Sequence, residues 1–356
     1  MLILLLCIWF VPSQGTVAKY KQTEGQQEQI LFTPNLFESD SLLELTIHTN
    51  LKELVRDVGD KRSYHPGRLS YYLGDSIVTQ TIELKTRGHF RKDRSICNFP
   101  PIRIRFNRAE STFTLFHNQH KLKMVTHCQN RIKNYEQMVI QEYLIYKAYN
   151  LFTPESFRVR LARITYKDSK GSMKPLTKFA FFLEDADKMA YRNHKVIVDR
   201  EKVHQDATPI SKITRLAVFQ YMVGNTDWGV PTLHNIKLMA SGPQAQPVAV
   251  PYDFDWASLV NAPYAVPNVK LNIKSIHDRL YRGYAKTPEE MEYIFREFRM
   301  LKDELYELYT NSPYLNDANK KRVLDYFDEF YYIINNPKLV KREFIDNARE
   351  YKFKEK

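Results

Sequence analysis

A chain of 356 residues, 43% hydrophobic and 26% charged, is long enough for one large domain or two modest lobes, each with its own core. That balance excludes a disordered or collagenous chain, and 23 tyrosines and 21 phenylalanines favour strands and filled cores over a coiled coil. The formal net charge of +12 suits an anionic partner (nucleic acid, a membrane surface or a phosphorylated ligand) or an unspecific basic surface. No Arg/Gly-rich tract or zinc-finger spacing singles out nucleic acid.

Residues 1–15, MLILLLCIWFVPSQG, form an apolar run followed by small and polar residues, which predicts an export signal too short to span a bilayer. Cys7 raises a lipoprotein alternative, ranked lower because Leu6 is large for a lipobox. Export implies a periplasmic or cell-surface protein with no transmembrane segment once the signal is removed. Residues 16–40 read as a polar leader rich in Gln and Glu.

Regular patterning begins at Ser41. Alternating segments at 42–48, 79–88, 100–106 and 121–127 predict four strands. The loop RGHFRKDRSICNFP between the second and third carries Arg87, Gly88, His89, Arg91, Lys92 and Arg94; it suits either a phosphate-covering loop or a solvated hairpin tip. Apolar spacing predicts a helix over 133–152 that contains Glu142, of interest only if a base such as Lys123 faces it. Two more strands follow at 156–166 and 175–185. This half, 41–185, reads as an antiparallel sheet with one inserted helix, an α+β arrangement. Cys97 and Cys128 either pair, as an oxidising compartment permits, or remain two buried thiols.

The texture changes near 184–190, which sets the boundary of a mainly helical part over 186–350. A buried helix precedes Gly224, with Thr208 or Ser211 as its cap, and helices are expected from Thr287-Pro288 to about Thr310, over 315–334 and after Pro337. Between them, residues 221–256 hold NTDW, HN, a hairpin made from IKLM and VAVPY, and YDFDW. The hairpin brings Asn235 and Asp253 to its open end, two hard oxygen ligands suited to Mg²⁺ or Mn²⁺ beside substrate phosphates. Asp227 is then free to accept a proton from an attacking hydroxyl. For any single one of these residues a turn or capping role is the simpler reading. The order of all four acidic and amide groups matches a phosphoryl-transfer site.

On Arg87-Gly88, the RIRF strand, NTDW, HN and YDFDW, the chain resembles the spore-coat-protein-H (CotH) type of secreted atypical protein kinases, over roughly residues 80–260. It also looks like uncharacterised exported proteins of Bacteroidetes-like bacteria. The resemblance implies a two-lobed protein-kinase-like fold, an antiparallel-sheet N-lobe over a helical C-lobe, with ATP as co-substrate and a protein or other hydroxyl-bearing acceptor. It makes Asp227 the catalytic carboxylate, Asn235 and Asp253 metal ligands and Asp255 an accessory ligand. Lys123 with Glu142 becomes the phosphate-anchoring pair, Arg87-Gly88 a nucleotide-binding strand end, and FFLED (181–185) the connection that holds the base. The chain departs from that pattern in lacking a GxGxxG loop and in the seven residues between Asp227 and Asn235. A non-catalytic binding protein is the alternative. A phosphoesterase built on Asp227, Asp253 and Asp255 is weaker, since it leaves Asn235 unexplained, and no GxSxG elbow supports a serine hydrolase.

Overall fold

The computed structural model describes residues 35–111 and 114–349. The signal segment with Cys7, and residues 16–34 of the polar leader, lie outside the described residues. Among the described residues no helix is long and apolar enough to cross a membrane.

The first half contains β1 (Leu43–Thr49), α1 (Leu51–Arg56), β2 (His65–Leu73), β3 (Ser76–Thr86), β4 (Ile102–Phe106), α2 (Arg108–Ser111), β5 (Lys121–Val125), α3 (Asn134–Phe152), β6 (Val159–Asp168) and β7 (Leu176–Leu183). The seven strands close into a barrel in the order β1-β2-β3-β4-β5-β7-β6. Closure comes from a parallel pairing, Leu43 opposite Ala162 through Thr49 opposite Asp168, while the neighbouring pairs are antiparallel. The expected two-lobed kinase-like fold with an antiparallel-sheet N-lobe is therefore corrected. The sheet is a mixed, closed barrel with a helical region attached. Closing the sheet pairs both edges, which an open sheet would leave exposed.

The period-two pattern explains the two faces of the wall. Ala180 and Phe182 of β7 point into the barrel with Leu45, Ile104 and Met124, whereas Phe181 and Leu183 point outward to a second core. That outer face is covered by α3, whose Ile140, Leu144, Ile145 and Ala148 are buried. Period-two reading missed β2, because its Pro66-Gly67 reads as a turn. In the barrel Gly67 is used for close approach: a Cβ there would lie 2.8 Å from Leu84 and 3.1 Å from the His48 carbonyl.

The second half contains α4 (Ala186–Arg192), β8 (Val196–Ile197), α5 (Ile210–Met222), β9 (Ile236–Ala240), β10 (Val248–Pro251), α6 (Pro288–Met300), α7 (Lys302–Thr310), α8 (Asp317–Ile334) and α9 (Pro337–Val340). The expected hairpin forms, Met239 opposite Val248 through Ile236 opposite Pro251, with β8 added on its far edge. Neither Thr208 nor Ser211 caps α5: Pro209 occupies the N-cap, and the Thr208 hydroxyl donates instead to the Gln205 carbonyl. Thr287 does start α6, through a capping box with Glu290. The outer core runs without a break from α3, β6 and β7 into α5, the hairpin and α6 to α8.

Cys97 and Cys128 form a disulfide across 31 positions. It ties the loop that follows β3 to the segment entering α3, reinforced by the Phe99 amide donating to the Cys128 carbonyl at 2.9 Å. Closing a loop of this length contributes about 3–4 kcal/mol. Reduction is expected to lower the denaturant midpoint accordingly, and an unchanged midpoint in dithiothreitol would contradict it.

Beside the disulfide, the buried His127 ring lies 4.6 Å from Phe99, with Nε2 2.7 Å from the Asn130 side-chain oxygen. Burial pushes its pKa down to about 4, against partial support from Asn130. The folded value lies below the unfolded one near 6.5, so the contribution is fully present above that value and lost as pH falls toward 4. The loss is on the order of 3 kcal/mol. His127→Phe should flatten the acid limb of a stability–pH curve between pH 6.5 and 4, and an unaltered limb would refute this assignment.

Candidate functional site

Three segments meet beside one end of the β9–β10 hairpin: the loop after β3, the middle of α3, and the chain on either side of the hairpin. α5 ends at Met222, and Gly224 just beyond it reverses the chain with a φ of 66°; a Cβ there would collide with Ser258 and the Tyr326 hydroxyl. Asp227 follows. The seven intervening residues fold back through a bridge between Gly229 and His234, with amide-to-carbonyl distances of 2.9 and 3.0 Å. This pinched loop returns His234 and Asn235 to Asp227. Its carboxylate contacts His234 Nε2 at 2.7 Å and accepts from the Asn235 amide at 3.0 Å. Behind the loop, Arg282 donates to the Thr226 carbonyl at 2.6 Å and also to that of Trp228.

At the open end of the hairpin the Tyr252 amide donates to the Asn235 carbonyl at 3.0 Å. Asn235 and Asp253 both hold left-handed backbone, φ 50° and 61°. Asparagine tolerates that region, but two such residues side by side mark a constrained segment, as sites often are. The Asp253 amide donates to the Tyr146 hydroxyl of α3 at 2.7 Å, which fixes this bend against the helix.

Arg91 is the residue that sequence reading left in a loop and the fold makes central. It is buried, with Nε 3.3 Å from Asp255 and a terminal nitrogen 3.7 Å from Asp253. Burial works against its charge, but Tyr264, Asp255, Glu142 and Asp253 hold the guanidinium firmly protonated. Asp255 also accepts from the Tyr264 hydroxyl at 3.1 Å. Its pKa is pushed up to about 7, mainly by burial, with Asp253 and Asp227 adding repulsion and Arg91 opposing it. Glu142 is likewise raised well above the ordinary carboxylate range, by burial first, then by Asp255 and Asp253 against Arg91. Its Oε1 has no hydrogen-bond partner among the described residues.

The proposed Lys123–Glu142 pair is not formed. The cations acting on Glu142 are Arg91 and Arg87. Lys123 instead belongs to a row on the outer wall of the barrel, where Lys85 stands opposite Arg103 and Arg103 opposite Lys123. Like charges directly opposite on one face are unfavourable. Burial, then Arg87 and Arg103, pushes Lys123 down to about 8. Arg87 sits at the barrel end under the field of Asp253, and Gly88 after it has φ 94°. Among the described residues Arg87, Arg103 and Lys123 form no ion pair with a carboxylate. In FFLED, Leu183 pairs with Lys123, whereas Glu184 is bound to Arg192 at 2.9 Å and Asp185 caps α4.

Among the described residues no three His, Cys, Asp or Glu side chains close on one point as a metal cage. The Mg²⁺ of phosphoryl-transfer sites needs no such cage, since it keeps waters and takes one or two protein oxygens beside substrate phosphates. Asp253 is partly exposed, and the Asn235 side-chain amide nitrogen donates to Asp227, so the Asp253 carboxylate and the Asn235 side-chain oxygen are the hard donors that fit such an arrangement. Arg91 and Tyr264 both engage Asp255 Oδ2, so an accessory role for Asp255 would fall to its other oxygen. Neither a protein-family model nor a curated protein matches this chain.

Proposed function

We propose that this protein is an exported, metal-dependent phosphotransferase that passes the terminal phosphoryl group of ATP to a hydroxyl-bearing acceptor. The observation that carries the reading is the meeting of unpaired cations, Arg87, Arg103 and Lys123, with the strained Asn235–Asp253 bend and the nearby Asp227. The cations suit a triphosphate, whose charge would relieve their mutual repulsion. Asp253 and Asn235 would hold Mg²⁺ or Mn²⁺, which supplies charge neutralisation at the phosphate oxygens. Asp227, oriented by His234 and Asn235, accepts the acceptor's proton. The resemblance to CotH-type proteins favours the same roles for these residues. The barrel is not the architecture that resemblance implied, so the proposal rests on the site. A disulfide supports an oxidising compartment, in keeping with export.

One observation favours a second reading, an anion-binding protein without catalysis: Arg91 already neutralises Asp255 and part of Asp253. Nucleotide binding without transfer would select it.

The test is thermal unfolding with ATP and Mg²⁺ or Mn²⁺ together, set against each alone. The pair is expected to raise Tm by several degrees. Lys123→Met should remove that shift while raising ligand-free stability by about 1 kcal/mol, because a lysine pushed below its ordinary pKa is repelled in the fold. No shift in the parent protein would overturn the proposal.

A further inference from the structure

Beside Asp227 lies a cavity of about 420 Å³ that neither the metal site nor the basic row uses. Its walls include Trp256, Val266, Val269, Ile273 and Ile276, and the Asp227 carboxylate is the one charged group among its lining residues. Val266 and Val269 are 58% and 93% exposed, so their apolar surface is presented to solvent at the cavity. Thr226 and Asn268 complete the lining, the Asn268 side-chain oxygen already accepting from the Lys270 amide, and a cavity with mostly apolar residues and a few polar groups is the usual form of a small-ligand site.

We infer that this cavity receives the acceptor, and that the acceptor is a phenolic hydroxyl, a tyrosyl side chain. The inference rests on the phosphotransferase reading and names its substrate class. A ring covers apolar walls and carries its O–H at one end, which matches the apolar residues of this cavity and its one carboxylate. A seryl hydroxymethyl group would leave those walls wet. An anionic acceptor would meet Asp227 with no cation among the lining residues. In the step itself the phenolic oxygen forms a bond to the terminal phosphorus of ATP. The bond from that phosphorus to its bridging oxygen breaks, its electron pair leaves with ADP, and the phenolic proton passes to Asp227.

The experiment compares N-acetyltyrosinamide with N-acetylserinamide as acceptors, with ATP and Mn²⁺. At least tenfold higher kcat/KM is expected for the tyrosyl probe. Val269→Asp and Ile273→Asp should each lower it about tenfold while leaving the nucleotide-induced rise in Tm unchanged. Equal use of the two probes, or parental kinetics in both variants, would overturn the inference. Binding is read separately from transfer as quenching of Trp emission by N-acetyltyrosinamide, lost in Trp256→Phe. Quenching abolished by Val269→Asp upholds the cavity even if no transfer occurs, in which case the phosphotransferase reading alone falls. No quenching in the parent protein overturns the cavity assignment even if ATP binds.

Discussion

Replacing Asp253 by asparagine is expected to reduce phosphoryl transfer by about 10³-fold or more while the protein still folds. The substitution keeps the side-chain shape and suits the left-handed backbone at φ 61°, where alanine would add strain. The Tyr146 contact uses the Asp253 amide rather than its side chain, so the bend survives. What is lost is one negative oxygen of the pair that would hold the metal. Asp253 also adds to the repulsion on Asp255 and Glu142, so both carboxylates should move back toward their ordinary range. Labelled-ATP transfer and the Mn²⁺-dependent thermal shift measure the two consequences. Transfer retained above a tenth of the parent rate would remove Asp253 from the machinery and leave the reading without its metal ligand.

Arg91→Met should be the most destabilising single change in the site, by about 3–5 kcal/mol at neutral pH and above. Methionine fills much of the volume, so the loss is chiefly electrostatic: Glu142, Asp255 and Asp253 are left facing one another without the cation that offsets them. The pH dependence separates this from simple repacking. Carboxylates with folded pKa values above their unfolded ones contribute most at low pH, and that contribution is lost as pH rises through the folded values. The penalty should therefore shrink at pH 5 and be largest at pH 8. Urea unfolding at both values checks it, with Arg91→Lys as the charge-retaining control. An equal penalty at the two pH values would mean that Arg91 acts by packing alone.

These effects concern residues that differ in how far they could be read from order and composition. Asn235 and Asp253 were legible because strand alternation and a Gly-Pro turn place both at one end of a hairpin, and the hairpin forms in that register. Asp227 was legible as the carboxylate just past a buried helix. Arg91 was not. It stood among five basic residues in a loop, counting His89, and nothing local distinguishes Arg87 and Arg91, which turn inward, from those that stay in water. Its role depends on a disulfide that anchors the loop and on Glu142, 51 positions away, lying across from it. Lys123 and Glu142 were joined by chain order alone. Strand register sends Lys123 into the basic row on the wall, while Glu142 lies under the fields of Arg91 and Arg87.

The same division holds for the fold. Period-two alternation determined most strands of the first half, apolar spacing determined α3 and α5, and the Thr287-Pro288 start was sufficient for α6, because each is settled by contacts within a few residues. Closure was decided elsewhere. β1 meets β6 in parallel more than a hundred positions away, and β2, masked by Pro66-Gly67, is needed to link β1 to β3. A strand pattern says which face is buried but not which edge finds which partner. Partner choice depends on the twist and packing of the whole barrel, and that is why the tertiary structure alone turned an expected open lobe into a closed one.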